Sequence, residues 1–553
     1  MAKMKHFFVA CKFSLCAFLL PMPHLVAQAP LYTHADTLKG TITKERAWWD
    51  AQYYDLHVSF SPADSSISGY NRIRYKVKES RQVLQLDLWQ PMLIDSVIQN
   101  SKRCEWLRTG NVFFIFLSQT QSIGETYELL VYFHGKPHRA KLPPWEGGII
   151  WAKDKNGNPW VAMACQGMSA SVWFPNKDHQ YDEVDSASMY FTAVKDLVAV
   201  SNGRLRSKKI NNDETATYQW AVVNPINNYN IVPYIGKYVN FKDTLHGLGG
   251  VLDLDYWVLE DDLAKARRQF TQVKPMLRCF EDWFGKYPFY EDGYKLVQAP
   301  FLGMEHQSAI AYGNKFQNGY RGQDLSLTGW GLKWDFIIVH ESGHEWFANS
   351  ITAKDVADNW VHEGFTAYAE NLYTEYLFGK KAGAEYVIGT RAAVENDRPI
   401  IGDYNVNHDG SGDMYYKAAN MLHTIRQLVN NDSLWKELLR SLNKTFWHQT
   451  VTTQQIESYM STYLKQDLQH VFDQYLRTIQ IPVLEYQLEK KQLKYRWTAC
   501  VPGFDMPLKL EGNAALWLKP TETWQTVDYL LPALSPDPNF YVKTDQKQKE
   551  IKR

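Results

Sequence analysis

Two histidines four residues apart, with a glutamate directly after the first, are the strongest chemical signal in this chain of 553 residues. His340, Glu341 and His344 form an H-E-x-x-H pattern within a helical period, so both imidazoles project from one helix face. Two neutral imidazoles at this spacing can hold one metal ion. Glu341 lies one residue further round the helix and can reach a water on that ion. The pattern therefore predicts a zinc site with Glu341 as its general base.

A catalytic zinc site needs a third protein ligand, and Glu363 is the candidate. It follows His344 by 19 residues and lies at the start of the next helical pattern. Two histidines and one carboxylate leave a fourth position for water, as in hydrolytic zinc sites. The sequence thus predicts one Zn²⁺ per chain, bound by His340, His344 and Glu363. A tyrosine from the following helices could donate a hydrogen bond to the oxyanion of a tetrahedral intermediate.

Hydrophobic periodicity separates β-rich from helical parts of the chain. Up to about residue 241, short alternating runs predict strands at 53–60, 73–77, 83–88, 112–117 and 127–133. Beyond residue 259 the period becomes helical, and a first amphipathic helix ends at Gly285. Further helices are predicted at 335–349, 358–379, 416–429 and 454–464. After residue 482 the alternation of strands returns.

These patterns predict an α+β multidomain fold, because a chain of this length exceeds what one hydrophobic core uses. The predicted parts are an N-terminal β-rich domain, a catalytic domain, a small C-terminal β domain and a tail, at 30–241, 242–480, 481–545 and 546–553.

Residues 1–29 have the layout of a secretory signal peptide. Lys3 and Lys5 precede an apolar run, and small residues follow it. The run is too short and too interrupted to span a bilayer, and no other stretch reaches the roughly 18 apolar residues that a membrane helix needs. We therefore expect an exported protein, periplasmic or secreted, without a membrane span.

The charge balance and the cysteine spacing argue against certain partners and certain kinds of site. Lys plus Arg and Asp plus Glu number 60 each, which gives no electrostatic reason to expect nucleic acid as a partner. Beyond the leader, the cysteines are too widely spaced to indicate a zinc knuckle or a redox pair. They are Cys104, Cys165, Cys279 and Cys500.

Several separated motifs resemble the zinc gluzincin aminopeptidases of the aminopeptidase N and leukotriene-epoxide-hydrolase type. In chain order they are Gly303-Met304-Glu305-His306, His340 to His344 with Trp346-Phe347-Ala348-Asn349, Trp360 to Phe365, and Tyr415-Tyr416-Lys417-Ala418. Their order and spacing fit over nearly the whole chain after the leader. The resemblance implies an N-terminal saddle-like β domain, a thermolysin-like zinc catalytic domain and a small C-terminal β-sandwich.

The resemblance also implies roles for individual residues. Glu305, in the motif with Gly303 and Met304, would bind the free α-amine of a peptide substrate, and charge complementarity favours that contact. Tyr415 would donate to the oxyanion. Gln166 would line the specificity pocket and help to hold the amine. The implied partners are peptides with a free N-terminus.

Some features depart from the family pattern. Leu302, His306 and Ala418 replace residues that are common in the motifs, which leaves the shape of the first substrate pocket open. The long helical domain that often follows the small β domain is not expected after Val542. The cleft would then be more open, or closed by another subunit of an oligomer.

Two alternatives remain at this point. A thermolysin-like zinc endopeptidase would use the same two histidines and the same downstream glutamate, but it would not need Glu305. A non-catalytic peptide-binding protein on a peptidase scaffold would typically have lost a ligand or the base, whereas this chain keeps both.

Overall fold

The computed structural model describes residues 32–489, 491–511 and 516–548. The predicted signal peptide at 1–29 lies outside these residues and stays a prediction, as does the end of the predicted tail, 549–553. None of the helices in the described ranges is long and apolar enough to cross a bilayer. Among the described residues, Cys104, Cys165, Cys279 and Cys500 are free thiols, and of these four only Cys500 is partly exposed.

The N-terminal part of the chain is built from β-sheet. It opens with two short helices, α1 (His34–Gly40) and α2 (Lys44–Ala47). The strands that follow are β1 (Trp49–Ser61), β2 (Ser66–Val77), β3 (Val83–Asp87), β4 (Leu93–Gln99), β5 (Lys102–Thr109), β6 (Val112–Phe116), β7 (Thr126–Gly135), β8 (Gly148–Lys153), β9 (Pro159–Ala164), β10 (Ser186–Val194), β11 (Val198–Val200), β12 (Arg204–Ile210), β13 (Thr215–Val222) and β14 (Tyr234–Gly236). Ten strands form a sheet in the order β12-β13-β10-β1-β2-β7-β4-β5-β6-β3, and four form a second sheet in the order β11-β14-β9-β8.

Alternating burial explains why these segments are strands. In β2, for example, Ile73, Tyr75 and Val77 are buried while the residues between them are exposed. All five strands predicted in this part are observed, although β1 and β2 begin several residues earlier than their apolar cores suggest.

The middle of the chain combines a mixed sheet with helices. Its elements are β15 (Tyr238–Gly247), β16 (Gly250–Leu259), α3 (Leu263–Gln269), α4 (Val273–Phe284), β17 (Tyr294–Gln298), β18 (Gly303–Met304), β19 (Ile310–Tyr312), α5 (Phe336–Gly343), β20 (Ile351–Ala353), α6 (Trp360–Phe378), α7 (Lys380–Gly389), α8 (Tyr416–Val429), α9 (Asp432–Thr445), β21 (Gln449–Val451), α10 (Thr453–Leu464) and α11 (Gln469–Leu476). Strands β15 to β19 form a sheet in the order β15-β16-β17-β19-β18. The predicted domain boundary after residue 241 falls within β15, and the domain limits themselves stay predictions.

The five-stranded sheet separates two hydrophobic cores. Leu296 and Ile310 point into the core shared with the helices, whereas their neighbours Val297 and Ala311 point into the core of the N-terminal part. This is the period of two expected of strands. The sheet therefore holds the N-terminal β part against the helical part, along the line where the predicted site residues converge.

The chain ends in small sheets. The strands are β22 (Val483–Glu489), β23 (Gln492–Thr498), β24 (Leu508–Lys509), β25 (Trp517–Leu518), β26 (Gln525–Asp528) and β27 (Lys543–Gln546). Four pair in the order β26-β23-β22-β27, and β24 pairs with β25. Leu484, Leu493 and Trp497 belong to the same core as the catalytic helices. The α+β architecture with a β-rich N-terminal part and a helical catalytic region confirms the predicted fold class.

Candidate metal centre and substrate cavity

Helix α5, which carries the H-E-x-x-H pattern, begins at a buried cap. The side chain of Asp335 accepts from the backbone amides of Ile337 at 3.1 Å and Ile338 at 3.4 Å. Tyr312 and Asn314 also donate to this carboxylate, at 2.7 and 2.8 Å. A side-chain cap satisfies amides that have no partner within the helix. The cap therefore fixes the start of α5 to the strand and loop before it.

The end of α5 corrects one prediction. The expected helix at 335–349 ends at Gly343, and His344 is the first residue after it, still with helical angles of φ −64° and ψ −18°. The chain then turns through Ala348, whose φ of 146° cannot occur within an α-helix, and enters β20. His340 and His344 nevertheless face the same side.

The three predicted ligands meet at one point. His340 Nε2 lies 3.3 Å from His344 Nε2, and Glu363 Oε2 lies 3.5 Å from the former and 3.3 Å from the latter. Zinc bonds of about 2.1 Å in a tetrahedron place neighbouring ligand atoms roughly 3.4 Å apart. The observed spacing therefore matches that of zinc ligands, with Glu363 supplied by the first turn of α6.

Proton positions around these atoms also favour a cation. His340 Nδ1 lies 2.7 Å from Glu370 Oε1, and His344 Nδ1 lies 3.0 Å from the carbonyl of Phe347. Because both partners accept in these contacts, each Nδ1 carries a proton, and in the neutral imidazoles that bind metals each Nε2 then presents a lone pair. The third atom, Glu363 Oε2, is buried and has no hydrogen-bond donor. Three electron pairs thus converge in a buried space, which a metal ion would satisfy.

The charge state of Glu363 suits a ligand. Burial alone would raise the pKa of this carboxyl, but His344 and His340 outweigh that effect and hold the pKa well below its ordinary value. Glu363 is therefore ionised, as metal binding requires.

The residues that orient the histidines were not predicted. Glu370 holds His340 and itself accepts from Tyr386 at 2.6 Å, while Thr366 Oγ1 lies 3.1 Å from His344 Nδ1. Such outer partners fix the tautomer and ring orientation of metal-binding histidines. The helical period carried a signal for them, since positions 366 and 370 lie three and seven residues after Glu363, on the same face of α6.

Glu341 lies beside the metal centre, against β18. A Cβ atom at Gly303 would come within 2.8 Å of Glu341 Oε1, so only glycine leaves that carboxylate in place. Burial raises the pKa of Glu341 to about 7. A carboxylate with such a pKa can take and return a proton near neutral pH.

Glu305 is a third buried carboxylate beside Glu341 and Glu363, and it contacts the N-terminal part of the chain. Tyr229 donates to its Oε1 at 3.0 Å, and Asn349 Nδ2 donates to its backbone carbonyl at 2.8 Å. One carboxylate oxygen each of Glu305 and Glu341 and one nitrogen of His344 lie within 4.8 Å of one another. A substrate amine at Glu305 would therefore be close to the base and to the metal.

Gln166 connects the N-terminal part directly to the metal centre. Its Nε2 donates to Glu363 Oε1 at 3.2 Å. The structure thus places Gln166 against the outer oxygen of the third ligand, next to the predicted amine site.

Tyr415 lines the same cavity as the candidate metal ligands and is the residue before α8. Its ring lies 5.9 Å from the His340 ring, with 23° between the planes. Burial, followed by the charge of Glu363, raises the pKa of this phenol well above its ordinary value. Tyr415 therefore keeps its proton and can act as a hydrogen-bond donor.

A cavity of about 550 Å³ joins all the predicted site residues. They are Gln166, Gly303, Met304, Glu305, His340, Glu341, His344, Glu363 and Tyr415. The cavity also has walls that the sequence did not indicate, among them Trp145, Tyr320, Asn359 and Asp409. Asn359 donates to Asp409 at 3.2 Å. Trp145, Tyr320 and Asp409 come from loops with no periodicity, and Asn359 directly precedes α6, so no motif in the sequence marked these four as cavity residues.

Comparisons with known proteins agree with this geometry. Residues 268–475 match the Peptidase family M1 domain. The chain is 21% identical over 326 residues to leukotriene A-4 hydrolase of Xenopus laevis, covering 56% of this chain and 50% of that protein. It is 21% identical over 405 residues to leucyl aminopeptidase of Saccharolobus solfataricus, covering 71% of this chain and 49% of that protein. The chain thus spans about half the length of these curated relatives.

Solved structures show the same fold. A mutant M1 zinc metallopeptidase from Deinococcus radiodurans superposes with a TM-score of 0.67 at 21% identity, covering 78% of this chain and 95% of that one. The same mutant bound to a Tyr-Ser-Ala substrate gives 0.65 at 21% identity, with coverage of 78% and 95%. The family resemblance predicted from the motifs is confirmed, and the match to the Peptidase family M1 domain over residues 268–475 includes all three candidate zinc ligands.

Proposed function

We propose that this chain is a zinc-dependent aminopeptidase that removes N-terminal residues from peptides, with one Zn²⁺ per chain held by His340, His344 and Glu363. The observation that carries the proposal is the convergence of these three ligand atoms beside two further buried carboxylates, Glu341 and Glu305. The M1 match and the relatives named above support it.

Each residue has a distinct task in the proposed reaction. Zinc, when bound, would polarise the scissile carbonyl and lower the pKa of the attacking water. Glu341 takes a proton from that water and returns it to the leaving amine, for which its pKa of about 7 is suited. Tyr415 donates its phenolic hydrogen to the developing oxyanion.

Glu305 sets which end of a peptide enters the site. An ammonium group bound by this buried carboxylate fixes the N-terminus of the substrate one residue from the metal centre. Tyr229 donates to this buried carboxylate, and an ammonium group at its remaining acceptor positions would offset more of the cost of burial. This arrangement favours removal of single residues over internal cleavage.

A paired assay tests the proposal. Purified protein should hydrolyse aminoacyl 4-nitroanilides, lose this activity with a chelator and regain it with zinc. N-acetylated versions of the same compounds should remain intact. Hydrolysis of blocked and free compounds at similar rates would support an endopeptidase instead, and zinc binding without any hydrolysis would support a peptide-binding protein.

The Glu341→Gln variant separates chemistry from metal binding. It should keep stoichiometric zinc, because its side chain is not a ligand, while turnover falls by at least about 10³-fold. Glu437→Gln on the exposed face of α9 is a matched control and should behave like the wild type. Normal turnover of Glu341→Gln would contradict the proposed role.

A further inference from the structure

An exposed arginine and an exposed tryptophan make a cation–π contact at the mouth of the cavity that contains the candidate metal centre. The guanidinium carbon of Arg321 lies 5.8 Å from the centre of the Trp145 ring. Trp145 is 57% exposed, yet it lines the cavity that holds the metal centre. Arg321 lines a second groove of about 550 Å³, and Leu302 borders both spaces. The pair therefore stands where the cavity opens into the groove.

The backbone holds Arg321 in an uncommon conformation. Tyr320 and Gln323 exchange backbone hydrogen bonds of 2.9 and 3.0 Å around a tight turn, whose central residues are Arg321 and Gly322. Their φ values are 53° and 81°. Asparagine and glycine are the residues that this left-handed region favours. An arginine there is held by its surroundings, and such outliers concentrate at functional sites.

The turn is fixed to the metal-binding helix. The amide of Arg321 donates to Asn314 Oδ1 at 2.9 Å, and the side-chain amide of Asn314 donates to Asp335 Oδ1 at 2.8 Å. Asp335 is the cap of α5. The position of the Arg321 backbone is thus tied to His340 and His344 by two hydrogen bonds through buried groups.

Within the described part of the chain, the guanidinium of Arg321 has a ring contact but no charged partner. In the described ranges no carboxylate lies within ion-pair distance of Arg321, and its side chain donates no hydrogen bond. The groove beside it contains Lys315, also exposed and without an ion pair among those residues, and Lys265, which is paired with Asp262 at 2.8 Å. The groove therefore carries uncompensated positive charge on the side of the cavity mouth.

We infer that Arg321, in cation–π contact with Trp145, forms a carboxylate-binding subsite that receives the far end of short peptide substrates. This inference rests on the proposed aminopeptidase function. A peptide with its amine at Glu305 and its first carbonyl at the metal centre extends toward the mouth of the cavity, where its chain ends in a carboxylate. A guanidinium matches the geometry of a carboxylate. Because the contact with Trp145 already restricts the Arg321 side chain, that side chain loses less conformational entropy when a carboxylate binds. The same chemistry would accept an acidic side chain at that position.

Three matched peptides test the inference. Ala-Ala-Ala with a free C-terminus should be cleaved with a kcat/KM about tenfold above that of its amide, as expected for one charge-assisted contact. The preference should shrink at about 1 M salt, because the Debye length falls to about 3 Å there and the attraction between the two charges is screened. Ala-Ala-Glu amide shows which carboxylate Arg321 binds. If this peptide is cleaved no faster than Ala-Ala-Ala amide, the ligand is the C-terminal carboxylate. If it is cleaved faster, a side-chain carboxylate at that position also binds.

The Arg321→Asn variant is the decisive one, because asparagine suits the left-handed turn and removes only the charged group. It should cleave the acid and the amide equally, while its hydrolysis of aminoacyl 4-nitroanilides stays unchanged. Arg321→Lys should keep part of the preference, and Arg103→Asn, an exposed arginine on β5, should keep all of it.

The outcomes distinguish this inference from the proposed function. If the wild type cleaves acid and amide equally, or if Arg321→Asn retains the preference, the subsite is overturned although the aminopeptidase stands. If the wild type cleaves no free aminoacyl compound at all, the proposed function itself fails.

Discussion

The carboxylate of Glu370 accepts a hydrogen bond from His340 Nδ1 at 2.7 Å, and this contact decides which nitrogen of His340 faces the metal centre. Tyr386 holds the other carboxylate oxygen at 2.6 Å. Glu370 is fully buried. In the neutral imidazole the contact therefore keeps the proton on Nδ1, and it aims Nε2 at Glu363 and His344.

Glu370→Gln is expected to weaken zinc binding without removing a ligand. The amide keeps a hydrogen-bond acceptor for His340 but loses the negative charge that makes the imidazole a better donor of electrons. We expect zinc affinity to fall by about 10- to 100-fold, measured by competition with a chelator. The exposed Glu437→Gln is the control. An unchanged affinity would show that Glu370 does not act through His340.

The sequence could predict that His340, His344 and Glu363 lie together because their pattern is local. His340 and His344 are one helical turn apart, and Glu363 lies at the start of the next helix. Helix α8 was predicted at 416–429 with the bounds that are observed, since its apolar residues recur at the helical period. Local periodicity and motif spacing thus fixed the elements that carry the chemistry.

Contacts between distant segments could not be predicted in this way. Gln166 reaches Glu363 across 197 residues of chain, and Trp145 meets Arg321 only because the N-terminal β part packs against the catalytic sheet. Asp409 lies in a loop that no period describes. The premature end of α5 was also missed, because the apolar pattern continues through Trp346 and Phe347 after the helix has stopped. Tertiary packing, not local propensity, places these groups.

Tyr415→Phe should reduce kcat with little effect on KM, because in the proposed mechanism the phenol donates to an oxyanion that develops only in the transition state. We expect a fall of about 10²- to 10³-fold in kcat, as for other oxyanion donors, and unchanged zinc content. Tyr416→Phe is the matched control, since this neighbouring tyrosine also lines the cavity and should tolerate the change. Equal losses in both variants would mean that Tyr415 has no special role.

Gly303→Ala should separate activity from stability. The new methyl group would meet Glu341 Oε1 and Ile337 Cγ2, each at 2.8 Å. Glu341 Oε1 is the far end of a flexible side chain and can move, whereas Ile337 Cγ2 is a branch methyl in a buried residue, so the free energy of unfolding should fall by about 1–3 kcal/mol. The displaced base, however, should lower kcat by about 10²-fold, since misplacement by about 1 Å can cost that much. Thermal unfolding and steady-state kinetics on the same preparation test this prediction. Full activity would show that the new methyl group does not displace the Glu341 carboxylate.

Glu183 should make the stability of the fold depend on pH. Its carboxylate, from the N-terminal part, accepts from Thr352 Oγ1 of the catalytic part at 2.7 Å. Burial raises its pKa from 4.5 to about 7. A carboxyl whose pKa is higher in the folded state stabilises the fold below its unfolded pKa, and this contribution is lost as pH rises through the folded value. The native state should therefore lose stability between about pH 4.5 and 7 because of this group.

Glu183→Gln should remove that loss, because a neutral amide keeps an acceptor for Thr352 and never ionises. Relative to the wild type, the variant should gain about 2 kcal/mol on going from pH 5 to pH 8, a value reduced from the full linkage because the side chain is partly exposed. Unfolding temperatures at the two pH values measure the change. Glu105→Gln, an exposed carboxyl on β5, should follow the wild type at both. Parallel pH profiles for Glu183→Gln and the wild type would show that Glu183 is already ionised in the folded protein at pH 5.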